Sequence, residues 1–231
     1  MATLQQILIG ILLTTFFGCQ SKSIDKTPLF AKDETNENEK KNNLIVFVGK
    51  KLNITALPHR QGEFYLQYKV KYEILQRVYG HYLSDTIEFI ASDHSSGTPD
   101  FSKYKTVLLF VTKFEGKYYQ ETYIYNEVYL AQNGRWAGRY FDYDYEHPNN
   151  KQINIKPEII NFKEEVSYPL KIKDDELIIP FIKPCYKIVG DKAIVVYGNY
   201  VDELFRLRKE GVLTARELFG DKNAKELDTG N

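Results

Sequence analysis

Phe64-Tyr65-Leu66-Gln67-Tyr68-Lys69-Val70-Lys71-Tyr72-Glu73-Ile74 alternates without a break: Phe64, Leu66, Tyr68, Val70, Tyr72 and Ile74 on one parity, Tyr65, Gln67, Lys69, Lys71 and Glu73 on the other. A period of two over this length predicts a half-buried β-strand. Leu75 and Val78 then fall out of parity, which predicts a bulge that coils the strand and redirects its end. Upstream, Leu44 to Val48 is a dense apolar strand reaching Gly49, with Leu52 and Ile54 continuing the alternation. Downstream, Thr86 to Ala91 and Val107 to Val111 read as two more strands. The second is apolar at consecutive positions, as a strand covered on both faces must be.

After Phe114-Glu115-Gly116-Lys117, the aromatic run Tyr118 to Tyr129 supplies a further strand. Asn133-Gly134, between Leu130-Ala131 and Trp136-Ala137, allows positive φ at both central positions and predicts a hairpin. A second hairpin turns at Val189-Gly190-Asp191-Lys192 and joins Tyr186–Val189 to Ala193–Tyr197. Helix is confined to the end, where Val201, Leu204, Phe205 and Arg208 keep helical spacing behind Asn199 as cap. Thr214-Ala215-Arg216-Glu217 matches a capping box and predicts a second short helix, with a frayed tail after Phe219.

The stretches Leu44-Ile45-Val46-Phe47-Val48-Gly49-Lys50 and Tyr68 to Gly80 resemble the first two strands of netrin-like modules, the group that includes the tissue inhibitors of metalloproteinases. The likeness runs from Leu44 to Trp136 and implies an OB-like five-stranded barrel, which also suits the bulged long strand and the number of strands read above. The inhibitors in that group chelate a protease zinc through a free N-terminal Cys. Here no Cys stands beside the first strand, so the resemblance carries fold and not inhibition. The expected fold is therefore mainly β: an OB-like five-stranded barrel with an additional C-terminal β-hairpin and one or two short helices. The expected organisation is a signal segment at 1–18, a tether at 19–43, the barrel at 44–147, and the hairpin with its helices at 148–231.

Residues Met1 to Gly18 carry no charge, and the apolar run Ile7 to Phe17 has the length of a signal-peptide core, short of a spanning helix. Phe16-Phe17-Gly18-Cys19 resembles the lipobox of bacterial lipoproteins, which implies acylation of Cys19 and a membrane partner through that lipid anchor. Gln20 rather than Asp after Cys19 favours the outer membrane. The polar segment from Gln20 to Asn43 cannot bury enough apolar surface to offset its ordering entropy and reads as a spacer. With Cys19 acylated, Cys185 is the only thiol left, so no internal disulfide forms, and Cys185 reads as a small buried hydrophobe. Lys plus Arg and Asp plus Glu are 31 each, which leaves no basic stripe and argues against nucleic acid as a partner. The chain has no phosphate-binding Gly loop, nucleophile elbow, His-Glu-x-x-His or paired-Cys motif, and no cofactor is expected.

Three constellations could carry chemistry. Asp93-His94, with Ser95, Ser96 and Asp100 nearby, is the candidate catalytic pair of a hydrolase, although neighbours on an extended strand point to opposite faces. Tyr140 to His147 alternates, which would place Asp142, Asp144 and Glu146 on one face as oxygen ligands for a hard cation, or as the charged face of an edge strand. The chain has 18 Tyr, and its ladders, with Tyr65, Tyr119, Tyr123 and Tyr125 as ligand-binding candidates, could form a stacking platform or pair within the sheet. Together these readings give a lipid-anchored envelope protein that binds or assembles with a protein or glycan partner; the alternative is an envelope hydrolase using Asp93 and His94.

Overall fold

The computed structural model describes residues 43–59, 64–94, 97–148, 150, 153–170, 172–173, 176–177 and 183–219. The signal segment, Cys19, the tether up to residue 42 and the tail after Phe219 lie outside these residues. Five strands, β1 (Leu44–Ala56), β2 (Leu66–Tyr79), β3 (Thr86–Asp93), β4 (Thr106–Phe114) and β5 (Lys117–Glu127), close into a barrel in the order β1-β2-β3-β5-β4. Neighbours are antiparallel except β3 and β5, which meet in parallel at Ile90 and Tyr119. This is the OB strand order.

Two cores share the barrel wall. Phe47, Val70, Tyr72, Ile87, Phe89 and Leu109 fill the inside. Leu44, Val46, Val48, Leu108 and Phe110 point outward into a second cluster, closed by Val201, Leu204 and Phe205 of helix α2 (Val201–Arg208) and by Leu213. Covering on both faces explains why β1 and β4 are apolar at successive positions. The two parity breaks in β2 are real bulges. Pairing with β1 skips Leu75 between Gln76 and Ile74, and skips Val78 between Tyr79 and Arg77. Each extra residue transfers the strand's apolar parity outward, so that Val78 and Tyr79 reach the second cluster, where Tyr79 packs on Phe205 at 5.0 Å.

The turn just before β4 plugs the barrel. A 3-10 turn at Asp100–Lys103 inserts Phe101 into the inner core, 6.1 Å from Tyr72.

Past the barrel, β6 (Tyr129–Leu130) and β7 (Trp136–Arg139) form the Asn-Gly hairpin, with Gly134 at φ +83°. Only the glycine is left-handed; Asn133 instead uses its Oδ1 to accept from Arg135 N. One turn of helix, α1 (Tyr143–Glu146), follows. The hairpin joins β8 (Glu158–Ile159) and β14 (Tyr197–Tyr200) in a sheet ordered β6-β7-β14-β8. A smaller sheet, β12-β13-β9, is built from β9 (Ser167–Pro169), β12 (Tyr186–Val189) and β13 (Lys192–Val195), and it contains the second expected hairpin, turning at Gly190. A short hairpin of β10 (Ile172–Lys173) and β11 (Glu176–Leu177) completes the strands. Cys185 is buried against Tyr186 and Val195, as a small hydrophobe would be.

Two expectations about the C-terminal helical segment fail. Asn199 does not cap α2: Tyr200 is the cap, while Asn199 donates to Glu203 Oε2 at 3.0 Å. The expected capping box starts no helix. α2 instead breaks at Gly211, where φ −90° and ψ −106° are non-helical; the helical turn beyond it, with Arg216 N donating to Val212 O at 3.0 Å, is under way before Thr214, whose Oγ1 donates back to Lys209 O at 2.6 Å, and Glu217 ends it at φ +60°.

Candidate functional site

The site grows from an irregularity in β5. Tyr125 pairs with Leu109 and Gln120 with Val111, so Glu121 to Ile124 stand opposite Phe110 alone. Ile124 turns down into the outer core while Gln120 donates to Ile124 O at 3.2 Å, which folds the bulge tight. Arg216 ties it from the far end of the chain, pairing with Glu121 at 3.2 Å and donating to Thr122 O at 2.9 Å. Tyr123 is left at the crest in the left-handed region, φ +65°, and is 49% exposed. A bulky residue held there against its own preference is a common mark of functional sites.

On one side of Tyr123 lies an exposed aromatic group. Its hydroxyl hydrogen-bonds His94 Nδ1, and the two rings meet edge to face at 5.5 Å. His94 stacks on Phe64 at 6.5 Å, and Phe64 packs edgewise on Tyr65 at 5.0 Å. Phe64 is 76% exposed and Tyr65 44%. On the other side a groove of about 420 Å³ opens between β5 and the second sheet. Tyr104 and Tyr125 wall it from the barrel, and Phe141 and Tyr143, both exposed, wall it from the segment after β7. Burial pushes the Tyr125 phenol up to about 12, helped by the neighbouring Tyr104, Asp100 and Glu127.

The groove also carries polar groups, Asn126, Glu127, Arg139 and Arg208, each fixed by a partner. Glu127 accepts from Arg139 Nε at 2.6 Å and from the Tyr129 hydroxyl at 3.1 Å. Arg139 donates to the Tyr186 hydroxyl at 3.1 Å and lies 4.7 Å above the Tyr168 ring. Burial works against the Arg139 charge, and Glu127 and Tyr186 outweigh it and hold the guanidinium charged. Arg208 pairs with the buried Asp144 at 2.7 Å, and Asn126 Nδ2 donates to the same carboxylate at 3.0 Å. Burial pushes the Asp144 carboxyl up, against the pull of Arg208 and Asn126.

The sequence candidates divide accordingly. Asp93 shares the parity of Ile87, Phe89 and Ala91 and is buried, whereas His94 leaves the strand exposed and gives its Nδ1 to Tyr123. The arrangement a catalytic dyad needs, a carboxylate orienting that nitrogen, is not this one. The alternation over 140–147 does not make a strand: Asp142 accepts from Tyr143 N at 3.0 Å and nucleates α1, so Asp142, Asp144 and Glu146 do not share a sheet face. Among the described residues no three His, Cys, Asp or Glu side chains converge as a metal ion requires.

Tyr65, Tyr123 and Tyr125 do come to the site or its edge. Tyr119 does not; it lies beside Ile90, on the wall whose outer face carries the exposed Lys69–Glu88 and Lys50–Glu73 pairs. Phe64 is a correction, because β2 starts only at Leu66 and the ring stands in solvent instead of the core. Phe141, Tyr143, Glu127, Arg139 and Arg208 had no sequence signal as site residues. Only the density of aromatics around Tyr140 to Tyr145 hinted at them.

Fold and site together define a closed OB barrel with an aromatic-rimmed, polar-floored groove on its flank. No protein-family model, curated protein or solved structure matches the chain.

Proposed function

We propose that this chain is a lipid-anchored protein of the bacterial cell envelope, acylated at Cys19 and spaced from the membrane by its polar tether, whose barrel is a binding or assembly module. The observation that carries the binding reading is the groove beside Tyr123. Exposed rings stand on both of its rims, its polar groups are held by fixed partners, and rigid strands support it, which is the composition of a preformed ligand site. The outer face of β2 and β3, where OB barrels bind oligomers, is covered here by exposed ion pairs and offers no such platform.

The anchor is tested by Cys19→Ala, which is expected to abolish acyl incorporation and release the protein from the membrane fraction; an acylated, membrane-bound variant refutes it. The module is tested by retention of envelope material on the full chain against a Phe141→Ala/Tyr143→Ala variant. Loss of a specific component in the variant supports the groove as the binding face, and identical retention by both proteins removes it.

A further inference from the structure

We infer that the groove takes a neutral oligosaccharide, its sugar rings lying on Tyr123 and Tyr143 and its hydroxyls meeting Glu127, Asn126 and Arg139. This inference rests on the binding reading proposed above and narrows it to one ligand class.

Charge is the first argument. Glu127 is matched by Arg139 at 2.6 Å and Asp144 by Arg208 at 2.7 Å, so the floor is polar yet balanced. A phosphate or an acidic polymer would find no uncompensated cation there, and a cationic ligand no uncompensated anion. Hydroxyl groups are different, because they donate to carboxylate oxygens and accept from guanidinium and amide N–H without needing net charge. Geometry is the second argument. Tyr123 and Tyr143 are more than two-fifths exposed on either side of the groove, and broad rigid rings of this kind accept flat apolar faces at little entropic cost. Sugar rings present such faces above and below a belt of hydroxyls. An anchored peptide would instead seek a deep apolar pocket for a side chain, and here ion pairs occupy that position. Backbone strain is the third argument: the left-handed Tyr123 is held out of the sheet by the Gln120 and Arg216 braces, whereas cross-strand packing alone would leave the ring within the regular ladder.

The test is isothermal titration calorimetry of the full chain, purified in detergent, against malto-, cello-, xylo- and chito-oligosaccharides. At least one series is expected to bind, about tenfold more weakly to Tyr143→Ala and to Tyr123→Gly, a variant that permits the left-handed backbone while losing the ring and its hydroxyl bond to His94. Binding is expected to be unchanged in Tyr119→Ala, on the barrel wall away from the groove. Absence of binding to every series overturns the inference, as does binding that Tyr119→Ala weakens as much as Tyr143→Ala. Extended peptides run in parallel separate the two levels of the argument: peptide binding lost in Tyr143→Ala, with no sugar bound, overturns the sugar and leaves the groove standing as a binding site.

Discussion

A methyl group added at Gly198 would meet the carbonyl oxygen of Gly138 at 2.0 Å, backbone against backbone, where no rotamer change gives relief. Gly198→Ala is therefore expected to cost on the order of 3 kcal/mol in a urea titration, by forcing β14 off β7 and moving Arg139, its register partner, out of the groove. Glu127 gives a complementary test. Its removal leaves the half-buried guanidinium of Arg139 without its carboxylate, so Glu127→Ala is expected to cost about 2–3 kcal/mol, and a second change, Arg139→Met, to recover part of that loss. At this scale the sequence was a partial guide to the site. Tyr123, Tyr125 and Tyr65 were legible because aromatics in alternating runs are conspicuous. Arg139, Glu127 and Arg208 were not, since lone charged residues on separate elements become a site only when long-range pairing brings them together. Asp93 and His94 drew attention as neighbours, yet adjacency on a strand is what sends one inward and the other out.

Among the elements, α2 closes the outer core with its apolar face. Leu204→Ala is expected to lower stability by about 2–5 kcal/mol in denaturant unfolding, while Arg206→Ala, on the exposed face of the same helix, leaves the midpoint nearly unchanged. The helix itself was readable from its spacing, and so were the barrel strands, both hairpins and the bulging of β2, expected as one bulge and found as two, each of which follows from local parity or turn chemistry. Errors came where a local pattern had two solutions. The alternation from Tyr140 to Glu146 suits a strand until Asp142 turns its carboxylate onto the next amide and starts a helical turn. Thr214-Ala215-Arg216-Glu217 has the composition of a helix start, but the Thr214 hydroxyl bonds backward to Lys209 and closes a helix end. The pairing of β7 with β14 was beyond local reading altogether, because the partners lie far apart in the chain.

For the molecule as a whole, burial of tyrosine sets an alkaline limit. Burial pushes Tyr125 and Tyr129 up to about 12, with Glu127 adding to both, against roughly 10 in an unfolded chain. Below that unfolded value both states hold their protons and stability does not depend on these groups. Between about 10 and 12 the unfolded chain releases them first, so stability falls as pH rises. Exposed tyrosines such as Tyr65 and Tyr143 can ionise in the folded molecule, and the remaining phenolate absorbance is expected to rise in step with loss of near-ultraviolet circular dichroism; full ionisation of a molecule with native dichroism would contradict the burial described here. The double-faced barrel wall also constrains the order of manufacture. A chain emerging amino end first completes all five barrel strands before Val201 to Leu213 exist, leaving the outward row of Leu44, Val46, Val48, Leu108 and Phe110 bare. Any nascent or truncated product stopping short of α2 is thus adhesive, and a chain ending before Val201 is expected to aggregate in sedimentation where the full chain stays dispersed.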